Sequence, residues 1–189
     1  MVPEPSRPAT VRSAGRPIWL VGMMGCGKSS VGPLLAARLS RSFLDGDAEV
    51  ERRAGGRSIP EIFRTAGEGH FRKLEAEVIG EAAAGTAVVA LGGGAIAQEG
   101  AAERLARSGT VVYLRARPDT LLSRIPDPAS RPLLAGLSRS ACAAKLAALL
   151  AEREPAYRVA AIVVDTDGRR IADVADDVAG RLTDGEEAT

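Results

Sequence analysis

The sequence predicts a three-layer α/β fold, with helices packed around a parallel sheet. Three observations carry that prediction. Short apolar runs alternate with stretches of helical spacing along most of the chain. Two of the runs, at 87–91 and 110–114, have the near-continuous apolar character of strands buried on both faces. Finally, a glycine-rich turn leads from the first run directly into helical spacing.

The elements follow in order. Residues 17–21 form an apolar run ending in glycines and read as a buried strand. Residues 29–39 have helical spacing, with Val31, Leu34, Leu35 and Leu39 on one face. Phe43 and Leu44 make a brief second run. From 48 to 84 the pattern is helical and charged, with Ile59, Ile62 and Phe63 followed by Leu74 and Val78. After the strands at 87–91 and 110–114, another comes at 160–164, and helical stretches occupy 101–107, 119–124, 140–152 and 171–182. Residues 125–137 lack periodicity, and Pro126, Pro128, Pro132 and Gly136 mark them as a loop.

Composition narrows the class. At 189 residues and 46% apolar, the chain suits one domain, placed at 16–184 with a C-terminal tail at 185–189. Residues 1–15 are rich in Pro, Ser and Arg without an apolar core, so a disordered tail is expected there and not a secretion signal. A formal charge of +1 argues against a nucleic-acid binder. No apolar run has membrane-spanning length, and the expected location is the cytoplasm. Cys26 and Cys142 share no metal-ligand spacing, which argues against a metal or disulfide role.

Gly22-Met23-Met24-Gly25-Cys26-Gly27-Lys28-Ser29 satisfies the phosphate-loop pattern, between a strand and a helix as its mechanism requires. Glycines let backbone N–H groups turn inward around phosphates, and the helix start adds partial positive charge. Lys28 would reach the β- and γ-phosphates, and the Ser29 hydroxyl would coordinate magnesium. Gly25, Cys26, Gly27, Lys28, Ser29 and Ser30 are therefore the expected ATP-binding residues of the loop. A guanine-specific switch reads its base with Asn-Lys-x-Asp, and this chain contains no Asn.

Beyond the loop, residues 18–165 resemble the shikimate kinase family. The resemblance rests on Phe43-Leu44-Asp45-Gly46-Asp47, Glu61-Ile62-Phe63, Gly67-Glu68, Phe71-Arg72-Lys73-Leu74-Glu75, Gly92-Gly93-Gly94, Arg131-Pro132-Leu133-Leu134 and Arg153-Glu154-Pro155-Ala156-Tyr157. Ala54-Gly55-Gly56 is one residue longer than the family's usual segment, and Ala101 and Ala102 fall where many members carry an Asn. The resemblance implies a P-loop kinase of nucleoside-monophosphate-kinase type, with a five-stranded parallel sheet, a substrate-binding segment at about 46–76 and a mobile lid at about 125–138. The implied reaction is ATP plus shikimate giving shikimate 3-phosphate and ADP, a step toward chorismate and aromatic amino acids. Its expected partners are those two small molecules with Mg²⁺, and the expected state is a monomer. A kinase for another polyol acid such as gluconate, and a non-catalytic nucleotide-binding relative, are the competing readings.

Each candidate residue has a chemical task and a plainer reading. Asp45 would hold magnesium through its water shell, or else cap a helix. Asp47 would orient or deprotonate the substrate hydroxyl, or cap the helix starting at Ala48. Arg72 and, by resemblance, Arg153 would bind the substrate carboxylate; each has carboxylates in reach for an ion pair instead. Glu75 would orient Arg72, while Phe63 and Phe71 would line the carbocycle or simply pack. Gly92, Gly93 and Gly94 would bring backbone N–H groups to the substrate, Gly93 above all. Arg131 in the loop would stabilise the transferred phosphate, or stay solvated. By resemblance Arg124 stacks on adenine, with Arg169 a weaker candidate for the same task. Lys28, Asp47 and Arg131 form the expected catalytic set. His70, the sole histidine, matches no such position.

Overall fold

The structure, a computed structural model, describes residues 15–128 and 131–187. Almost all of the expected N-terminal tail lies outside the described residues. The chain runs β1 (Ile18–Val21), α1 (Lys28–Arg38), β2 (Phe43–Asp45), α2 (Gly46–Arg53), α3 (Ile59–Ala82), β3 (Val88–Ala90), a 3₁₀ turn (Ala95–Ala97), α4 (Ala101–Ser108), β4 (Thr110–Arg115), α5 (Pro118–Ser123), α6 (Arg139–Tyr157), β5 (Ile162–Asp165) and α7 (Ile171–Glu187).

The five strands form one sheet in the order β2-β3-β1-β4-β5. Every pairing is parallel, with Ile18 opposite both Val88 and Thr110, Phe43 opposite Val88, and Val112 opposite Ile162. The chain steps from β1 toward one edge, then returns and continues past β1 toward the other. That reversal makes the carboxyl end of β1 a topological switch point, where crevices for ligands open in sheets of this kind. Right-handed crossovers put α1 on the opposite face from the helices that lead to β4 and β5. Helix α7 returns to pack on α1, and α5 packs on α6.

Burial explains the elements. Ile18, Trp19 and Leu20 of β1 are fully buried, as are Val88, Val89, Val112 and Leu114, so the inner strands need no polar alternation. In α1 the inward face is Val31, Gly32, Leu35 and Ala36, whereas Leu34 is 39% exposed. The expected stripe through Leu34 is therefore rotated, because the Phe43 ring occupies the hollow at Gly32. A Cβ there would sit 2.1 Å from that ring.

The helical stretch expected over 48–84 is two helices. Helix α2 ends in a turn where Gly56 N–H donates to Glu51 O, and α3 starts with a Ser58–Glu61 capping box. A second core of Val50, Ala54, Ile62, Phe71 and Val78 joins the pair. Helix α6 extends five residues beyond its expected end at 152, to Tyr157, with Pro155 inside it. Helix α7 runs past 184 to Glu187.

Candidate active site

The glycine-rich loop joins β1 to α1 at the switch point. Gly27 caps α1 in a left-handed conformation (φ 104°), and the first turn of α1 holds no acidic residue to neutralise its partial positive charge. Gly25 has φ 80°, and a Cβ on it would lie 2.7 Å from Leu121 O, so the loop sits hard against α5. The Lys28 ammonium donates to Gly22 O (2.8 Å) and Met23 O (3.1 Å), with Cys26 Sγ at 3.7 Å. Cys26 and Cys142 are both buried and free.

Asp45 ends β2 beside this loop. One carboxylate oxygen accepts from the N–H groups of Asp47 and Ala48, capping α2; the other accepts from the Ser29 hydroxyl at 2.6 Å. The cap and the link to Ser29 therefore belong to one carboxylate. Asp47 lies inside the first turn of α2, so capping is not its task. Burial raises its pKa above the ordinary carboxylate value, opposed by Lys28 and Arg131 and reinforced by Asp45 and Glu51.

The residues expected on the substrate side converge on the triple glycine. A Cβ on Gly92 would meet Asp47 Oδ1 at 2.7 Å and Glu75 Oε1 at 2.8 Å. One on Gly94 would lie 3.1 Å from Arg72 Nη2 and 3.5 Å from Arg153 Nη2. Two carboxylates and two guanidiniums thus crowd a backbone that has no side chains to displace them.

Arg72 pairs with both Glu68 (3.1 Å) and Glu75 (2.8 Å). Glu75 is 6% exposed, and its Oε1 is buried without a hydrogen-bond partner among the described residues. Burial raises its pKa, with Arg72 opposing. Arg153, also buried, turns from Glu152 and Glu154 and donates to Gly93 O at 2.9 Å. Phe71 belongs to the second core, and Phe63 packs on it with ring centroids 4.9 Å apart. His70 is exposed on α3.

The cleft over the loop has a volume of about 630 Å³. Its lining includes Lys28, Ser29, Asp45, Asp47 and Gly93, together with Arg124, Arg131, Thr166 and Arg169, but not Arg72, Glu75 or Arg153. Arg124 is held by Thr166, through its hydroxyl (2.9 Å) and carbonyl (2.6 Å). Arg169 is pinned by Asp177 at 2.7 Å. The exposed Arg131 stands in a loop that is anchored more firmly than its composition predicts. Ile125 and Leu134 are buried in the main core, so the segment is not wholly free of it. Glu51, Ile59 and Thr166 also line the cleft and carry no motif in the sequence. Among the described residues, no helix is long and apolar enough to cross a membrane.

A phosphate cradle at the switch point of a parallel sheet, opening into a cleft of mixed charge, defines the class: P-loop kinases of small molecules. Within that class the comparisons agree. The shikimate kinase family model matches residues 24–183. A shikimate kinase of Nitrobacter winogradskyi is 46% identical over 162 residues, covering 85% of this chain and 74% of that protein. One of Chlorobium chlorochromatii is 42% identical, covering 87% and 90%. The structure of the Acinetobacter baumannii shikimate kinase in complex with shikimate superposes with a TM-score of 0.84 at 38% identity, covering 92% of this chain and 96% of that one. The chain belongs to the shikimate kinase family.

Proposed function

We propose that the protein transfers the γ-phosphoryl group of ATP in line to the 3-hydroxyl of shikimate, releasing ADP, as a monomer. The product lies on the route to chorismate and the aromatic amino acids. The observation that carries this reading is the gathering of Asp47, Glu75, Arg72 and Arg153 around Gly92–Gly94. An acid able to accept from a hydroxyl and two guanidiniums able to grip a carboxylate support the reading of a polyol acid as substrate.

In this reading Arg72 and Arg153 hold the substrate carboxylate, with Glu75 fixing the Arg72 fork. The triple glycine, Gly93 foremost, brings backbone N–H groups to the substrate. Asp47 accepts the hydrogen bond of the reacting hydroxyl and takes its proton as the phosphoryl group arrives. Loop N–H groups from Gly25 to Ser30 and the Lys28 ammonium hold the phosphates, and Arg131 covers the transferred group. Arg124 packs on the adenine, with Arg169 beside it.

The hard oxygen donors Ser29 and Asp45, 2.6 Å apart, suit Mg²⁺ completed by phosphate oxygens and water. Bound there, the ion would neutralise charge developing on the phosphates. Phosphoryl transfer asks chiefly for such positioning and charge, which is what these residues supply.

A coupled ADP-release assay with Mg-ATP across shikimate, quinate and gluconate tests the reading. Turnover should require shikimate. Equal turnover on gluconate would defeat the assignment of substrate.

A further inference from the structure

Tyr157 has no part in that mechanism, yet it is 1% exposed and its hydroxyl donates to Gly93 O at 3.0 Å. The carbonyl it holds lies in an unusual place. Ala95 N–H donates to Gly92 O, closing a β-turn whose central residues are Gly93 and Gly94. A turn of this kind uses only groups of its first and fourth residues, so the peptide joining the central two is held by nothing within the turn.

That peptide has two stable orientations, related by a flip of about half a turn, which distinguish type I from type II turns. The second needs positive φ at the third residue, and glycine adopts it without steric cost. With glycine at both central positions, the local sequence does not choose. Gly94 has φ −104° and ψ −6°, the type I setting.

Two donors make the choice, Arg153 Nη1 at 2.9 Å and Tyr157 Oη at 3.0 Å, both on Gly93 O. Across a trans peptide, the Gly94 N–H points opposite to that carbonyl. We propose that Tyr157 is a positioning residue that locks the Gly93–Gly94 peptide, presenting the Gly94 N–H, and not a carbonyl oxygen, to the anionic end of the substrate. The proposal rests on the reading of Arg72 and Arg153 as the carboxylate site.

Arg153 alone is a poor lock, because the ligand it binds would pull on the same guanidinium. Tyr157 is the stiffer donor. Its ring stacks on Tyr113 of β4, with centroids 4.4 Å apart and planes 17° from parallel. An ordinary tyrosine hydroxyl already keeps its proton in the neutral range, and burial raises the Tyr157 pKa further. A flipped peptide would turn the Gly93 oxygen toward the carboxylate and repel it.

Tyr157→Phe keeps the stack and removes the donor. Shikimate KM should rise about three- to tenfold, the range of one hydrogen bond, while ATP KM and kcat stay within about twofold. A merely structural role would lower kcat, ATP affinity and melting temperature together, and that result would overturn the proposal. An independent measurement is ¹⁵N relaxation dispersion at the Gly94 amide. The profile should be flat in the wild-type protein and show exchange in Tyr157→Phe. Exchange already present in the wild type would also overturn the lock. If the wild type failed to bind shikimate by calorimetry, the substrate reading would fall, and the Gly94 profiles would still decide whether Tyr157 holds the peptide.

Discussion

The base proposed for the reaction, Asp47, is packed where ionisation is costly. Burial lifts its pKa above the usual carboxylate value of about 3.9, so an unfolded chain ionises it first as pH rises. Its contribution to stability is therefore full below that value, declines as pH climbs toward the raised one, and stays lost at neutrality. Asp47→Asn should melt above the parent at pH 7, and the difference should vanish below about pH 4. The same variant should lose about 10²–10⁴ in kcat, the range for a general base. The kcat/KM of the wild type should fall on an acid limb placed above the ordinary carboxylate value. A variant melting no higher than the parent at pH 7 would contradict the burial argument. Arg131 is the opposite kind of residue, exposed and free to be cut back. Arg131→Ala should fold normally, bind shikimate in direct titration, and lose at least about 10² in kcat. Near-normal kcat would remove it from the mechanism.

Helix α3 shows what an element contributes. At Gly67 it leaves helical geometry, with φ 79° and ψ 168°, a region that residues with a Cβ avoid. The kink lies between Phe63 and Phe71, whose rings meet, and just ahead of Arg72, whose guanidinium reaches Gly94. Gly67→Ala should cost about 1–3 kcal/mol of stability. It should raise shikimate KM and leave ATP KM unchanged, measured by steady-state kinetics beside chemical denaturation. An unchanged denaturation midpoint would mean that alanine is accommodated in the kink without strain. The sequence marks Gly67 only as part of a short motif, since periodicity runs through the kink unbroken. The same limit hid the rotation of α1, because Leu34 has the right spacing and only the Phe43 ring beside Gly32 excludes it from the core. The strands and the phosphate loop were legible because unbroken apolar runs and a glycine pattern are local signals. The crowding of Asp47 and Glu75 on Gly92, and of Arg72 and Arg153 on Gly94, depends on four separate elements and was readable only through resemblance. Thr166, which grips Arg124, had no signal at all.

At the scale of the molecule, β1 stands between two unlike territories. Toward β2 lie Asp45, Asp47 and the α2–α3 pair; toward β5 lie Thr166 and Arg169, with Arg124 reaching in from the end of α5. Occupying both should tighten the whole. Hydrogen exchange across 131–137 should slow when ADP and shikimate are present together, more than with either alone. Exchange indifferent to the pair would argue against a loop that closes. Residues of both territories, Asp45 and Asp47 on one side and Thr166 and Arg169 on the other, line one cleft of about 630 Å³. If the sites are occupied as proposed, a single molecule carrying an adenosine-like head and a hydroxylated cyclic acid would engage both territories at once. Its second contact would be made at an effective concentration in the millimolar range, and linking alone should tighten binding about 10²–10⁴-fold beyond either half. Lys28, Ser29 and Gly93 all line that cleft, so the length and charge of the linker, as well as the affinity of either head, would set the strength of such an inhibitor.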